Sequence, residues 1–510
     1  MYKTMTTDSN KSMWKRYDQT EFIIQRSLQR CYLSICIMSC AFISPTLFAQ
    51  NLSYNQAEQF VVEKSYGSQA QQALKQASQL ELEAVKHLGR PRIDLNARAY
   101  AFHSETSVPL ESSKRRLENS LTRNFDDKLS EWENVLPPDV IDQVSQGFDQ
   151  TLNNGLNQVP NNLDVTVEDQ DVRSSISMVM PLYMGGKINS AKQVASLQAQ
   201  RSNISEKQQQ DAQRFEMIQA YFNVQLQQQL LNAAQFNVNS MQEHYNNALK
   251  LEKQGFINKG QRMQFEVARN NAQRSDQNIH SDLQASQFQL KNLLQTQEPL
   301  ILTTPLFINT TQNHSVETLL NGYEQKSNLI QKLQLDTQLA NENVKAQQST
   351  KKPSVFAFGE YGLDAKENWI VGVMAKYNLF SGLDNNKSIH AAELKRYASE
   401  LMTERSKQEV ENILYKSYSE LSASQASHLL LKQNIQAAQE NLRIQQLSFK
   451  EGMGTANQVI DAQNALSALK AELATNSYKY ILSLATLLQS YGAIDEFKLY
   501  ANRSATDYIR

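Results

Sequence analysis

Cysteine is almost absent from this 510-residue chain: three occur, Cys31, Cys36 and Cys40, all close to the N-terminus. Beyond residue 40 there is neither disulfide nor thiolate chemistry, so something other than cystine holds the chain together. Formal charge is −1 and no strongly basic block stands out, which argues against a nucleic-acid partner. No stretch of the body approaches the roughly 18 consecutive apolar residues of a membrane-spanning helix, and mean hydropathy is −0.54. The seven histidines, His87, His103, His244, His280, His314, His390 and His428, are scattered without paired metal-ligand spacing. "MGGKI" has too few residues for a phosphate-binding loop, and no nucleophile elbow occurs. Glu118, Asp126 and Asp127 cluster in a polar stretch that suits a solvated loop better than general acids. The expectation is no enzyme, no cofactor and no metal.

The N-terminus differs from the rest. Lys3, Lys11, Lys15, Arg16, Arg26 and Arg30 precede the apolar run "CYLSICIMSCAFI" at 31–43, followed by Pro45 and "LFAQ". This pattern predicts a secretory signal peptide over 1–49, cleaved near Ala49; lipidation at Cys40 is the alternative. Removal of 1–49 takes away six Lys/Arg and three Asp/Glu, leaving −1 − 3 = −4.

Glycine (16) and proline (10) are few, and they act as punctuation. Neither occurs in 68–88, 187–254, 261–298, 323–352, 383–451 or 455–491. Each gap predicts a helix, and the two longest would run about 100 Å at about 1.5 Å per residue. Phe215, Ile218, Phe222, Leu226, Leu230 and Ala233 step by three or four. Val459, Leu466, Leu473, Tyr480 and Leu487 recur every seven, as in a packing seam. Either a coiled coil or a tube needs such rods.

Four runs between the helices have strand character: 91–103, 171–183, 353–363 and 369–380. In the first, Ile93, Leu95, Ala97, Ala99 and Ala101 alternate with Arg92, Asp94, Asn96 and Arg98. Each run has about the 9–11 residues that a tilted strand needs to cross a bilayer. Singly, each could also be an ordinary half-buried strand.

Repetition gives these signals their weight. "PLYMGGK" (181–187) and "YNLFSGL" (377–383) place Leu182, Tyr183 and Gly185 on Leu379, Phe380 and Gly382, where 379 − 182 = 197. The same offset carries Gly255 onto Gly452, while Pro91 meets Pro353 at 353 − 91 = 262. The excess, 262 − 197 = 65 residues, falls within the first hairpin, at about 104–170, and predicts a surface loop with a short helix near Val140 to Phe148. The predicted organisation is a first repeat over 50–300, a second over 301–495 and a tail over 496–510. Helices are expected near 66–88, 187–254, 259–298, 316–350, 383–451 and 455–491. The corners at Leu182, Gly185, Gly186, Leu379 and Gly382 would pass strand to helix.

Four strands cannot close a membrane barrel, since known barrels begin at about eight, and an open edge in lipid leaves backbone groups unpaired. Other copies of the chain must complete them. With its duplicated corners and its helix tips "GFINKGQRMQFEVARNNA" (255–272) and "GMGTANQVIDAQNALSAL" (452–469), the chain resembles the TolC-like outer-membrane efflux and secretion channel family over roughly Asn51 to Ala493. The resemblance implies a mainly α fold with membrane β: a homotrimer whose twelve strands close an outer-membrane β-barrel and whose twelve helices continue it as a periplasmic α-barrel. It implies a passive exit duct of a tripartite efflux pump or type I secretion system. The implied partners are outer-membrane lipid, a periplasmic adaptor and an inner-membrane transporter. A structural coiled-coil envelope protein without a pore is the alternative, though it leaves the four strand runs unexplained.

The resemblance also implies site residues. Of the two constriction acids of the second tip, this chain has Asp461, with Gln458 at the other position; the family's Tyr and Arg fall on Phe449 and Gly454. Gln261 stands where an acid is common in the first tip. A ring of Asp461 would favour cations; a solvated helix-face carboxylate is the alternative. Gly255, Gly452 and Gly454 suit reversals between helices, with Asn258 and Thr455 as N-caps. Adaptor docking would involve Gly255, Phe256, Ile257, Asn258, Gly452, Met453 and Thr455. Trp369 and Tyr183 suit an aromatic girdle or ordinary packing.

Overall fold

The computed structural model describes residues 50–131, 138–310, 315–363, 368–380, 382–503 and 505–509. The expected signal peptide lies outside them, as does His314. In chain order the elements are β1 (Gln50–Leu52), α1 (Tyr54–Lys64), α2 (Tyr66–Val85), β2 (Arg92–Pro109), α3 (Glu111–Ser130), α4 (Pro138–Asn157) and β3 (Asn162–Tyr183). Then come α5 (Lys187–Lys253), α6 (Lys259–Leu293), β4 (Leu300–Leu302), β5 (Leu306–Asn309), α7 (Val316–Lys326) and α8 (Asn328–Gln348). The rest are β6 (Ser354–Gly362), β7 (Trp369–Lys376), α9 (Asn385–Lys450), α10 (Ala456–Tyr491), α11 (Phe497–Ala501) and β8 (Thr506–Ile509). None of the described helices is long and apolar enough to cross a membrane.

Two compact units divide these elements. One takes residues up to 82 together with 195–340 and 394–510; the other takes 83–194 and 341–393. The first is helical and is organised around aromatic rings. Tyr54, Tyr221, Phe222, Phe307, Tyr480 and Phe497 are each fully or almost fully buried. Tyr54 meets Phe497 edge-on at 5.2 Å, and Phe222 meets Phe307 at 5.7 Å. Edge-to-face pairs at such distances add stabilisation beyond the area they bury. The Tyr221 hydroxyl donates to the Leu52 carbonyl at 2.8 Å and accepts from the Thr304 amide at 3.0 Å. It thereby ties the parallel pair β1–β4 to α5. The seam on α10 behaves as its spacing predicts: Val459, Leu466, Tyr480 and Leu487 are buried.

The tail from 496, given no structure by the sequence, belongs to this core. Phe497, Tyr500 and Ala501 are buried, and β8 pairs antiparallel with β5, Phe307 opposite Tyr508. Asp507 accepts from Lys432 Nζ at 2.7 Å and lies 2.9 Å from Nε2 of the buried His428. The helix expected over 316–350 is two helices, broken at Ser327, where the chain is extended (φ −65, ψ 113). Beside the break, Gly492 ends α10 at φ +89, and a Cβ there would lie 2.2 Å from the Lys326 carbonyl oxygen. The helix expected over 259–298 ends at Leu293, leaving room for β4.

The second unit holds a four-stranded antiparallel sheet in the order β2–β3–β6–β7. Here the expected surface loop over 104–170 is corrected. β2 continues to Pro109, β3 begins at Asn162, and each strand is longer than the expected 91–103 and 171–183. Between them stand two 20-residue helices, α3 and α4, rather than one short helix near 140–148. Phe125 and Phe148 stack at 3.8 Å to join the pair. Nine charged residues among the twenty of α3 hid its half-buried Phe125 and Leu129. At the corners, Gly185 (φ +64) and Gly382 (φ +68) share a left-handed backbone. A Cβ at Gly185 would meet the Ser349 carbonyl at 2.8 Å, whereas one at Gly382 would meet open space.

Two outcomes follow for the helical unit. Gly492→Ala carries both a positive-φ strain of about 1–3 kcal/mol and a backbone clash, so it lowers the thermal unfolding midpoint followed by circular dichroism. For Asp507, burial raises the carboxyl pKa, but hydrogen bonds from Lys432 and His428 outweigh it and hold the value below the ordinary one. Its stabilisation is therefore fully present above the unfolded-state pKa and drains away as pH falls through the folded one. Asp507→Asn removes that part of the acid dependence, which pH-resolved denaturation profiles of the two proteins compare directly.

Candidate channel surfaces: sheet faces and helix tips

Alternation along each strand sends neighbouring side chains to opposite faces, and the registers identify which residues share one. Ile93 and Leu95 lie opposite Met178 and Ile176, which lie opposite Gly359 and Tyr361, which lie opposite Val371 and Trp369. This face, extended by Ala97, Met180, Ala357 and Val373, is apolar across all four strands apart from Ser174, which lies opposite Ala97. Ile93, Leu95, Ile176, Trp369, Val371 and Val373 are exposed on it. Tyr361 and Trp369 close it at one end as a directly opposed pair.

The opposite face mixes Val179, Phe356, Phe358 and Met374 with Arg92, Asp94, Asn96, Arg98, Ser175, Ser177 and Glu360. Its polar groups are bonded across strands. Ser175 Oγ donates to Glu360 at 2.6 Å and Asn96 Nδ2 donates to Ser177 Oγ at 2.9 Å. Spacing alone marked the apolar positions; it did not mark these cross-strand bonds, because register is needed to pair the residues. At the corners, Leu182, Leu379 and Phe380 are exposed. Leu379 and Phe380 lie past the end of β7, which stops at Lys376.

The two helix tips are built alike. After α5, the Gly255 amide donates to the Glu252 carbonyl at 3.0 Å and the Phe256 amide to Leu251 at 2.9 Å. After α9, Gly452 donates to Phe449 at 3.1 Å and Met453 to Ser448 at 2.9 Å. Both pairs satisfy the last helical carbonyls around a left-handed glycine, φ +78 and +74. The next helix starts in each case with a reciprocal cap. Asn258 accepts from the Gln261 amide at 2.9 Å while Gln261 Oε1 accepts from the Asn258 amide at 3.0 Å. Thr455 and Gln458 repeat the arrangement, with Gln458 Oε1 accepting from the Thr455 amide at 2.7 Å. Such a box takes Gln or Glu at the third position. Gln261 and Gln458, expected at a constriction, thus have their side-chain oxygens engaged by their own helix starts.

The remaining tip residues divide between packing and exposure. Phe449 meets the buried Phe265 edge-on at 5.4 Å, in a cluster with Ala248, Ala456, Val459 and Ile257. Gly454 packs tightly: a Cβ would lie 3.1 Å from the Phe449 amide nitrogen. Phe256 and Met453 are exposed at the two turns. Asp461 is exposed on α10, whose Asn457, Ile460 and Asn464 line, with Met263 and Val267 of α6, a groove of about 600 Å³. One feature sequence reading did not find is Arg262, held by Glu252 at 2.9 Å and by Glu266.

Comparison with known proteins gives this geometry its class. Residues 319–493 match the family model of outer membrane efflux proteins. No curated protein sequence matches the chain. Among solved structures, the outer membrane protein VceC of Vibrio cholerae is 14% identical with a TM-score of 0.65, over 86% of this chain and 96% of its own. CusC is 13% identical with a TM-score of 0.66, over 88% and 96%. The open state of the MtrE outer membrane channel of Neisseria gonorrhoeae is 14% identical with a TM-score of 0.64, over 86% and 89%. The fold is that of outer-membrane channels. Together with the family match over residues 319–493, it agrees with the resemblance to TolC-like outer-membrane channels carried by the corners and tips. A transport role and an outer-membrane location agree with the same findings, and the family matched is one of channels rather than enzymes.

The reciprocal cap at the second tip yields an expected cost. Thr455→Ala removes its side-chain half and destabilises the start of α10 by about 1 kcal/mol. Hydrogen exchange of the amides at 456–459 accelerates in that variant, while the amides of the first tip stay at their wild-type rates.

Proposed function

We propose that this chain is the exit duct of an efflux or secretion machine, working as a homotrimer. Three four-stranded sheets close a twelve-stranded barrel through the outer membrane, with the largely apolar face toward lipid and the bonded polar face toward the lumen. The observation that carries this is the apolar face shared by four strands, in rows from Ile93, Met178, Gly359 and Val371 to Leu95, Ile176, Tyr361 and Trp369. A water-soluble sheet would have to cover that face, whereas lipid covers it without further protein. Closure supplies partners for the outer edges of β2 and β7, which lipid cannot hydrogen-bond.

The long helices form the periplasmic tunnel, ending at the two tips. Phe256 and Met453, exposed beside left-handed glycines, are the positions offered to a periplasmic adaptor, behind which stands an inner-membrane transporter that supplies the energy. Asp461 is the acidic ring of the constriction. Gln458 and Gln261 contribute capping rather than charge, and Phe449 and Gly454 hold the turn through packing, so the closed state does not rely on a Tyr–Arg latch.

Single-channel recording in planar bilayers tests this reading. Wild-type protein should give discrete, cation-preferring openings, and Asp461→Ala should weaken that preference without abolishing conductance. Folded trimers that never conduct would favour a structural envelope protein without a pore. Conductance indifferent to Asp461 would move the constriction elsewhere.

A further inference from the structure

The β2–β3 ribbon keeps one-to-one register from Arg92 opposite Val179 to Pro109 opposite Asn162. Without a bulge, residues two apart stay on one face along its whole length. The polarity of those faces nevertheless reverses partway. On the face that begins with Ile93, Leu95, Ala97 and Ala99, the positions further along β2 are His103, Glu105 and Ser107, opposite Glu168, Thr166 and Asp164. His103 lies 2.8 Å from Glu168 and 3.4 Å from Glu105 there. On the face that begins with Arg92, Asp94, Asn96 and Arg98, the later positions are Tyr100, Phe102, Ser104, Thr106 and Val108, and opposite the last three stand Val167, Val165 and Leu163, so that the apolar residues of the band are Phe102, Val108, Val167, Val165 and Leu163.

That second band is uncovered by its own chain. Phe102 is 52% exposed, Val167 50%, Leu163 49% and Val165 39%. β6 pairs with β3 only from Ser175 to Tyr183, so this part of the ribbon has two strands and no neighbour among the described residues. A lone two-stranded ribbon is marginal in water at best, and an apolar stripe on it calls for a partner.

We infer that the partner is two further copies of this chain: the upper ribbons of a trimer bring their apolar faces together at the axis and narrow the outer mouth of the barrel. This rests on the proposed trimeric duct and adds to it. The direction follows from register. The apolar band lies on the face that, lower down, is the polar lumenal one, so it points inward, where only the other copies stand. Lipid is the wrong occupant, because the lipid-facing side of the ribbon carries His103, Glu105 and Glu168 at this level. An outward-bound protein partner would meet that same charged side.

Single-cysteine variants test the direction, since residues 41–510 contain no cysteine. Val165→Cys and Val167→Cys probe the inward face; Glu105→Cys and Thr166→Cys probe the outward one. Each is treated in outer-membrane vesicles with a short bismaleimide, with wild type as the blank. Covalent dimers from the inward pair and none from the outward pair are expected. Outward cross-links, or none from either pair while unboiled gels still show trimers, would overturn the inference and leave the duct intact. Absence of trimers in wild type would remove the duct reading itself. A second measurement avoids dependence on cross-linking geometry. Val165→Asp with Val167→Asp places six like charges at the axis, and the ribbons should separate with a rise in single-channel conductance. Trimers of this variant with wild-type conductance would count against narrowing at this level.

Discussion

An antiparallel ladder in register commits every second side chain to one face, and the four-stranded sheet, in register up to the shift between Pro181 and Tyr183 of β3, carries that commitment across its strands. A slip of one residue would exchange the apolar and polar faces of the whole strand. The registers of β2, β3, β6 and β7 place Ile93, Met178, Gly359 and Val371 in one row. That row has no polar group to satisfy, while the opposite face satisfies its own through Ser175–Glu360 and Asn96–Ser177. Lipid on one side and water on the other is the environment such a sheet fits. The reversal beyond Phe102 has meaning only because no bulge intervenes; with a bulge, it would be a change of facing rather than of surroundings.

The tips show how local hydrogen bonding can displace a role assigned by resemblance. Position 458 is where a second constriction acid would be expected, and a glutamine there looks like a lost charge. In place, its oxygen caps the start of α10, and Gln261 does the same for α6. Capping needs an acceptor three residues into the helix, not a charge. Asp461 has no such duty and is exposed, so its carboxylate is available for the constriction role proposed above.

Legibility from sequence tracked the range of the interactions involved. The long helices were visible as Gly/Pro-free spans, and α5 and α9 begin and end within two residues of the expected 187–254 and 383–451, because the turns at Gly255 and Gly452 are set by local backbone needs. The α10 seam was visible in its seven-residue spacing. The insert was misread as loop because Gly147 and Gly155 interrupt α4 and charges cover α3, while its strands extend β2 and β3 through pairing partners some 50 to 70 positions away. The break at Ser327 and the C-terminal strand were invisible for the same reason: Gly492 and Phe307 dictate them from distant parts of the chain.

The offset of 197 also shows what differs between the tips. Glu252 and Arg262 of the first correspond to Phe449 and Val459 of the second, since 252 + 197 = 449 and 262 + 197 = 459. The first tip is tied by an ion pair, with Arg262 2.9 Å from Glu252 and only 14% exposed. The second is tied at the same two places by apolar packing, Phe449 and Val459 sharing one cluster with Phe265. Only the ion pair carries charge, and its contribution falls with screening and depends on both partners being present; the apolar pair loses contact area gradually when disturbed. Two turns with the same backbone and the same caps therefore differ in how they would yield. If the proposed duct opens at its tips, this chain gives it one electrostatic fastening and one apolar one at equivalent positions.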